Sequence, residues 1–528
     1  ESQARASAHA PAPELHRLAI VASTPELLHE RIELLARTLD HGHDLGLLAT
    51  RGVFVGQPLR AGRVAVTFPG QGPQYPNMLR EAAARFPELE ASLREADEAY
   101  VRIAGRTLRP AFWTEGPDEY EQPDADIHCA VFAVNVALHR FLVSQGLVAD
   151  AVMGQSAGEL SALVAAGVLS LADALAAVHE RTTLVLELQL ADPGQMVALG
   201  CSADRVRALL LDLGGYAVVA ADNSPEACIV SATRSAAAAL VQRASQLGIE
   251  ARALPVSHGY HSDLIAGARP RYRAALDQLS FSAPQCRIVS TITGASIDSL
   301  SPADFPALLE RQFIEPVRLQ DAVLALHRQG VEVFIECGPK SGLTTFCKAI
   351  LGERAHAAQA TIHPKVGEVE QLHRALACCF VHGALDRKQR EALPVPEQRV
   401  EVTPLHAPPS SPARSSGLAV SVAATLAPSE SEGAGTLLGQ LGQLGMADNS
   451  LAMLRAIGQV IQAFVQQVEG TNTLSEAPNE LSAGHLPPSA ALPSESRARA
   501  HEAALHEVDA RPRREAVEAE PVREVADI

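Results

Sequence analysis

Apolar and polar residues along this chain switch between a period near 3.6 and a period of 2, and the switches mark its elements. Residues 16–23 alternate as a strand. Residues 24–40 repeat apolar positions at helical spacing, with Thr24 as N-cap and Glu26 and Glu30 early, and 52–55 is a second short strand. Residues 63–68 form an apolar strand run into Pro69-Gly70-Gln71-Gly72-Pro73-Gln74. That glycine turn is either an ordinary strand-to-helix turn or one whose free N–H groups face a ligand. Helical spacing covers 77–104 and 129–145. At 151–160 a short apolar run breaks into Gly154-Gln155-Ser156-Ala157-Gly158, and helical patterns follow over 157–167 and 172–189.

Between 195 and 256 the pattern changes. Strands are expected at 196–200, 216–221, 227–232 and 250–256, and helices at 202–213, capped by Ser202, and 235–247. The order β-α-β-β-α-β is the ferredoxin-like unit, inserted here into a larger α/β domain. Residues 254–263 then end a strand in a polar loop holding His258 and His261. A strand at 287–293, helices near 301–312 and 321–329, a strand at 331–337 stopped by Gly338-Pro339, and helical segments to about 383 complete the large domain. The chain thus divides into a flexible linker (1–14), a small α/β unit (15–60), a large subdomain in two parts (61–194 and 257–383) around the insert (195–256), a Pro/Ser/Gly-rich linker (384–446), an amphipathic helix (447–470) and a polar, disordered tail (471–528). In that helix Leu454, Ile457, Ile461, Phe464 and Val468 share one face, which calls for a dimerisation or docking partner over 450–468, or for packing back on its own domain.

Composition narrows the function. The 528 residues are 47% hydrophobic and 20% charged, enough for a large core in two to four domains. A net charge of −17 without a basic stripe argues against nucleic acid as partner, and means that an anionic ligand needs a local cationic anchor. The eight cysteines show no Cys-x-x-Cys or Cys/His metal spacing and read as buried free thiols of a reducing compartment, Cys378-Cys379 included. With no leader and no run of about 18 apolar residues, the expectation is a cytoplasmic protein without a membrane partner. The chain opens on Glu rather than Met, which suggests a segment of something longer.

Gly-x-Ser-x-Gly between a strand and a helix is the pattern of a nucleophile elbow. Its glycines let two backbones approach, the turn lifts Ser156 Oγ clear of the sheet, and the helix N-terminus behind it suits an oxyanion. The bare pentapeptide is a weak signal, and its strand–turn–helix setting gives it weight. An arginine in His179-Glu-Arg181, taken alone, is more often half of a surface ion pair.

Six motifs in order carry a resemblance: Phe68-Pro-Gly-Gln-Gly72, Gly154-Gln-Ser-Ala-Gly-Glu159, His179-Glu-Arg181, Ser257-His-Gly-Tyr-His261-Ser262, Gln312-Phe-Ile-Glu-Pro-Val-Arg318 and Glu336-Cys-Gly-Pro339. Over about 63–380 the chain resembles the malonyl-CoA:acyl-carrier-protein acyltransferase domain of polyketide and polyunsaturated-fatty-acid synthases. Residues 14–60 resemble the α/β linker that precedes such domains, and Phe380-Val-His-Gly-Ala384 resembles the start of the segment after them.

The resemblance implies an α/β fold, a hydrolase-like parallel-sheet large subdomain with an inserted ferredoxin-like small one. It implies Ser156 as nucleophile and His261, rather than His258, as its base, with the imidazole oriented by a backbone carbonyl near the Gly338-Pro339 turn. It further implies the amides of Gln71 and Ala157 as oxyanion donors, Arg181 as the grip on a malonyl carboxylate, and substrate-binding positions at His128, Gln155, His258, Tyr260 and Asn223. No metal and no bound cofactor are implied. Malonyl-CoA or a related acyl-CoA and a carrier phosphopantetheine are substrates, and the carrier protein and other synthase domains are partners. The chain departs from the family at Gln155, where His is usual, and at His128-Cys129, where Gln-Pro is usual, which leaves thiol and water both open as acceptor. His258-Gly-Tyr-His261 is closer to the malonyl-type loop than to the methylmalonyl-type one. The rival readings are an editing acyl hydrolase of the same fold and an inactive docking module.

Overall fold

The structure, a computed structural model, describes residues 16–41, 45–56, 63–114, 124–385 and 420–426. The expected linker at 1–14, most of that at 384–446, the amphipathic helix at 447–470 and the tail at 471–528 lie outside the described residues. The strands are His16–Ala22 (β1), Val53–Gly56 (β2), Val64–Phe68 (β3), Ala151–Gly154 (β4), Gln195–Leu199 (β5), Ala217–Ser224 (β6), Ala227–Ala232 (β7), Ala251–Ala253 (β8), Arg287–Ser290 (β9), Ala295–Ser296 (β10), Val317–Arg318 (β11), Val333–Glu336 (β12), Ala357–Ala360 (β13) and Val420–Leu426 (β14).

They form three sheets. The largest has the order β10-β9-β4-β3-β12-β13, parallel throughout except for the hairpin strand β10. Every residue of β3, Val-Ala-Val-Thr-Phe, is buried, as are those of β4 and β12. A parallel strand covered by helices on both faces requires such an unbroken apolar run. The covering helix Asp124–Ser144 is apolar and long enough to cross a membrane, and here it is mostly buried against the other helices and the sheet.

The insert folds as β5, helix Ala203–Leu210, β6, β7, helix Arg234–Gln246 and β8, and its sheet order β6-β7-β5-β8 is antiparallel at each step. This is the ferredoxin-like arrangement, with Val197, Leu199, Val206, Val230 and Leu240 in its core. Ser202 caps the first helix, accepting from the Arg205 amide at 3.3 Å. A fifth strand comes from the large lobe: β11 joins β6 in parallel.

Several elements differ from the expectation, among them the unexpected helices Arg109–Phe112 and Arg269–Leu276 and the strand β10. The helix expected over 77–104 is two, Arg80–Arg85 and Pro87–Ala104, because Pro87 holds Phe86 extended. The strand β13 reads Ala-Ala-Gln-Ala, strong helix formers that pairing with β12 pulls into the sheet. The dipeptide strand β11 is too short to show a period. Inside the stretch expected to be linker, Val-Ser-Val-Ala-Ala-Thr-Leu of β14 pairs antiparallel with β1 and completes the sheet β14-β1-β2. Its alternation was hidden by the Pro- and Ser-rich residues around it. At the other end of that small unit Thr24 accepts from the Leu27 amide at 3.2 Å, the cap expected of it.

Candidate active site

The carboxyl ends of β3, β4, β9 and β12 point to one edge of the parallel sheet, where open α/β sheets place their ligands. There β4 breaks at Gly154, and the chain turns through Ser156 into the helix Gly158–Ala165. A Cβ on Gly154 would run into the backbone of Gly158 and Glu159, and one on Gly158 into the Phe68 carbonyl. The elbow therefore sits against the end of β3 at a distance only glycine permits. Ser156 itself has φ of 52°, left-handed for a residue with a side chain.

His261 Nε2 lies 2.7 Å from Ser156 Oγ. Its Nδ1 lies 3.1 Å from the Glu315 carbonyl, which can only accept, so Nδ1 carries the proton and Nε2 turns a lone pair to the serine. The orienting carbonyl thus belongs to Glu315 and not to the Gly338-Pro339 turn. Gly338 is occupied elsewhere, packed on Pro69 and Asn135 so closely that a Cβ would clash with both. Motif spacing does not reveal which loop passes behind an imidazole. Gln312, buried and without a role in the sequence reading, donates from Nε2 to the Ser156 carbonyl at 2.7 Å and fixes the elbow from the same loop. Its visible signal was a polar residue directly after the amphipathic helix Phe305–Arg311.

Burial, followed by the charge of Arg181, lowers His261 to about 3, partly opposed by the Glu315 and Gln312 carbonyls. The ring is therefore neutral across the physiological range. Arg181, on the helix Leu171–Leu186, is 3% exposed and lies between the rings of Tyr260 and Phe313, 5.8 and 5.7 Å from their centroids. Among the described residues it makes no ion pair, and its Nε is buried without a partner. A burial that lowers its pKa leaves a guanidinium still charged.

Around the same Tyr260 ring stand His128 and His258. His128 is buried, its Nδ1 2.9 Å from Thr182 Oγ1, and burial and then Arg181 lower it to about 3. His258 is lowered by burial, and the Tyr260 hydroxyl lies 3.3 Å from Ser257 Oγ. A small cavity bounded by Gly70, Gln71, His128, Asn135 and Ala157 opens beside the elbow. No described residue takes the backbone amide hydrogens of Gln71 or Ala157. Gln155 Nε2 donates to Asn223 Oδ1 at 2.9 Å, so these two expected substrate-binding residues engage each other and join the elbow to β6 of the small lobe. Among the described residues no group of three or more His, Cys, Asp and Glu side chains is arranged to hold a metal. All eight cysteines are free thiols.

Buried carboxylates brace this edge. Glu159, on the first turn of the elbow helix, accepts from Ser290 Oγ (2.9 Å), Thr291 N (2.6 Å), Thr291 Oγ1 (2.7 Å) and Ile292 N (3.1 Å), tying the elbow to the end of β9. Burial nonetheless raises it to about 7. Glu336 accepts from Leu343 N (3.1 Å), Thr344 N (2.7 Å) and Thr344 Oγ1 (2.7 Å), closing the open amides of the next helix.

A nucleophile elbow on a parallel sheet, a histidine against its serine and a ferredoxin-like lobe across the cleft define an α/β acyl-transfer fold. Residues 66–383 match the acyl transferase domain family, and the chain belongs to it. It is 38% identical over 307 residues to the phenolphthiocerol synthesis polyketide synthase type I Pks15/1 of Mycobacterium marinum, covering 56% of this chain and 14% of that protein. It is 33% identical over 324 residues to the erythronolide synthase EryA3 of Saccharopolyspora erythraea, 61% of this chain and 10% of that one. The chain thus spans a small part of the length of these curated relatives. Among solved structures, the acyltransferase domain from the second module of the salinomycin polyketide synthase superposes with a TM-score of 0.60 at 30% identity, covering 72% of this chain and 88% of that one. The MCAT of Streptococcus pneumoniae gives 0.52 at 29%, covering 59% of this chain and 100% of that one.

Proposed function

We propose that this acyltransferase moves a malonyl group from CoA to the phosphopantetheine thiol of an acyl carrier protein, through an acyl-enzyme on Ser156. The observation that carries the reading is the 2.7 Å approach of Ser156 Oγ to His261 Nε2, beside a buried arginine that makes no ion pair among the described residues. In the first half-reaction His261 Nε2 takes the hydroxyl proton as Oγ attacks the thioester carbonyl. The amides of Gln71 and Ala157 receive the oxyanion. The carbon–sulfur bond then breaks, and His261 gives its proton to the departing CoA sulfur. In the second half-reaction the carrier thiol gives its proton to His261 and its sulfur attacks the acyl carbonyl. The ester bond to Oγ breaks, and the proton returns to Ser156. CoA and the carrier arm enter as substrates, and neighbouring synthase domains would supply the carrier.

Arg181 sets the substrate class. A guanidinium fork gives a carboxylate two parallel charge-assisted hydrogen bonds, and this one is screened from water by two aromatic rings. Occupation by malonyl also offsets the charge that depresses His261, so the base strengthens when its proton is to be taken. An editing hydrolase for chains without a carboxylate would leave that charge buried and unpaired, which favours transfer. Intact-protein mass spectrometry after mixing with a panel of acyl-CoAs tests the reading. A malonyl adduct that water removes slowly and a carrier thiol removes fast is expected. Rapid loss to water alone would replace transferase by hydrolase.

A further inference from the structure

Tyr260 is ringed by three buried side chains that the fold leaves incomplete. Arg181 lies over its ring at 5.8 Å, and the rings of His128 and His258 are 6.5 and 6.2 Å away. Arg181 Nε, His128 Nε2 and His258 Nδ1 are all buried and lack a hydrogen-bond partner among the described residues. Each such atom carries an uncompensated desolvation cost unless something binds it. Three around one ring describe a polar ligand site.

The tautomer of His128 follows from its neighbour. Thr182 has one hydroxyl proton, and the bond from Oγ1 to the Val178 carbonyl at 3.1 Å uses it. The 2.9 Å contact is then a donation from His128 Nδ1 to Thr182 Oγ1, which leaves Nε2 as a bare acceptor. His128 also lines the cavity bounded by Gln71 and Ala157. The residue therefore borders the oxyanion amides on one side and, around the Tyr260 ring, neighbours Arg181 on the other. In a malonyl thioester the atom between the two carbonyl groups that those anchors hold is C2.

Resting on the acyl-transfer reading above, we infer that His128 reads the C2 substituent and that the preferred acyl group is 2-hydroxymalonyl, its C2 hydroxyl donating to His128 Nε2 and its carboxylate held by Arg181. A C2 methyl in the same place leaves the acceptor unpaired. A C2 ammonium would bring a second cation against Arg181.

The test is competition, on the full chain, between malonyl-, methylmalonyl- and 2-hydroxymalonyl-CoA, with the three acyl-Ser156 adducts separated by mass. Hydroxyl and methyl are nearly equal in size, so their ratio isolates the hydrogen bond. The wild-type protein is expected to favour 2-hydroxymalonyl over methylmalonyl by at least about tenfold, the scale on which sites built for a hydroxyl reject its analogue. His128→Leu removes the acceptor, and Thr182→Val frees the ring to adopt either tautomer. Both should bring the ratio toward one, and the wild-type ratio decides even if either variant fails to fold. Equal labelling by the two substituted thioesters overturns the inference. So does a preference for unsubstituted malonyl over both, which would put an ordered water on Nε2. Labelling by none of the three sinks the acyl-transfer reading itself, and this inference with it.

Discussion

The two lobes that face each other across the cleft are built by different means. In the large lobe buried acidic side chains stand at the carboxyl edge of the parallel sheet: Glu159 on the elbow helix and Glu336 at the end of β12 are 4% and 1% exposed, and between them they hold the amides or hydroxyls of five residues. In the small lobe, 195–256, no charged side chain is buried among the described residues, and the core is Val, Leu, Ile, Ala and Cys behind one face of an antiparallel sheet. Apolar packing suffices to hold a lobe that bounds a cleft. Fixing Ser156 within hydrogen-bond reach of His261 requires directional contacts, and a buried acidic side chain accepting several N–H and O–H groups supplies them.

The contrast can be broken most severely at the dyad. Ser156→Ala should abolish acyl-enzyme formation, and His261→Ala should slow it by roughly 10² to 10⁴. An equal loss in His258→Ala with a mild His261→Ala would reassign the base. Next comes Arg181→Ala, expected to cost malonyl-CoA about 2–4 kcal/mol of transition-state binding while leaving acetyl-CoA unharmed or improved. Arg181→Lys should restore malonyl only in part, since a point charge does not reproduce the fork. Equal losses on both thioesters would make Arg181 structural.

The bracing itself is tested by Glu159→Ala, which should slow acylation about 10- to 100-fold in protein that still folds, the scale for misplacing a reacting group. An unchanged rate would show that the elbow holds its own geometry. The pH profile is a gentler probe. Because His261 is lowered from 6.5 to about 3, the neutral base persists as pH falls, and the imidazole should contribute no acid limb near 6.5 to acylation by acetyl-CoA in the wild-type protein or in Glu159→Gln, which removes the one brace that burial raises to about 7. With malonyl-CoA the limb should lie higher than with acetyl-CoA, since the carboxylate offsets Arg181. A common limb near 6.5 would contradict a buried imidazole. Least effect on chemistry is expected from Leu240→Ala in the small lobe: about 2–5 kcal/mol of stability lost by thermal or denaturant unfolding, and little change in the acylation rate of the folded protein. A large rate loss there would erase the distinction between the lobes.

Much of the large lobe could be read in advance because its chemistry is local. Gly154, Ser156 and Gly158 must be neighbours to make an elbow, and the apolar runs of β3, β4 and β12 announce burial on both faces. The ferredoxin-like order was equally plain, since every element there except the three-residue β8 is long enough to show its period. What escaped depends on contacts distant in sequence. The Glu315 carbonyl behind His261, Gln312 beneath Ser156 and the mutual engagement of Gln155 with Asn223 leave no trace in spacing. Nor do β13 and β14, whose pairing overrides their local composition.

Ser156 and His261 both have left-handed backbones, with φ of 52° and 56°. For a residue with a Cβ that conformation costs roughly 1–2 kcal/mol, and for glycine almost nothing. Both members of the Ser156–His261 contact therefore occupy positions where the polypeptide would be more comfortable with glycine. Ser156→Gly, dead as a catalyst, should melt higher than the wild-type protein. A library of this chain sorted for thermal endurance alone would accumulate silent variants at the nucleophile, and any directed evolution toward robustness has to screen for turnover in the same round.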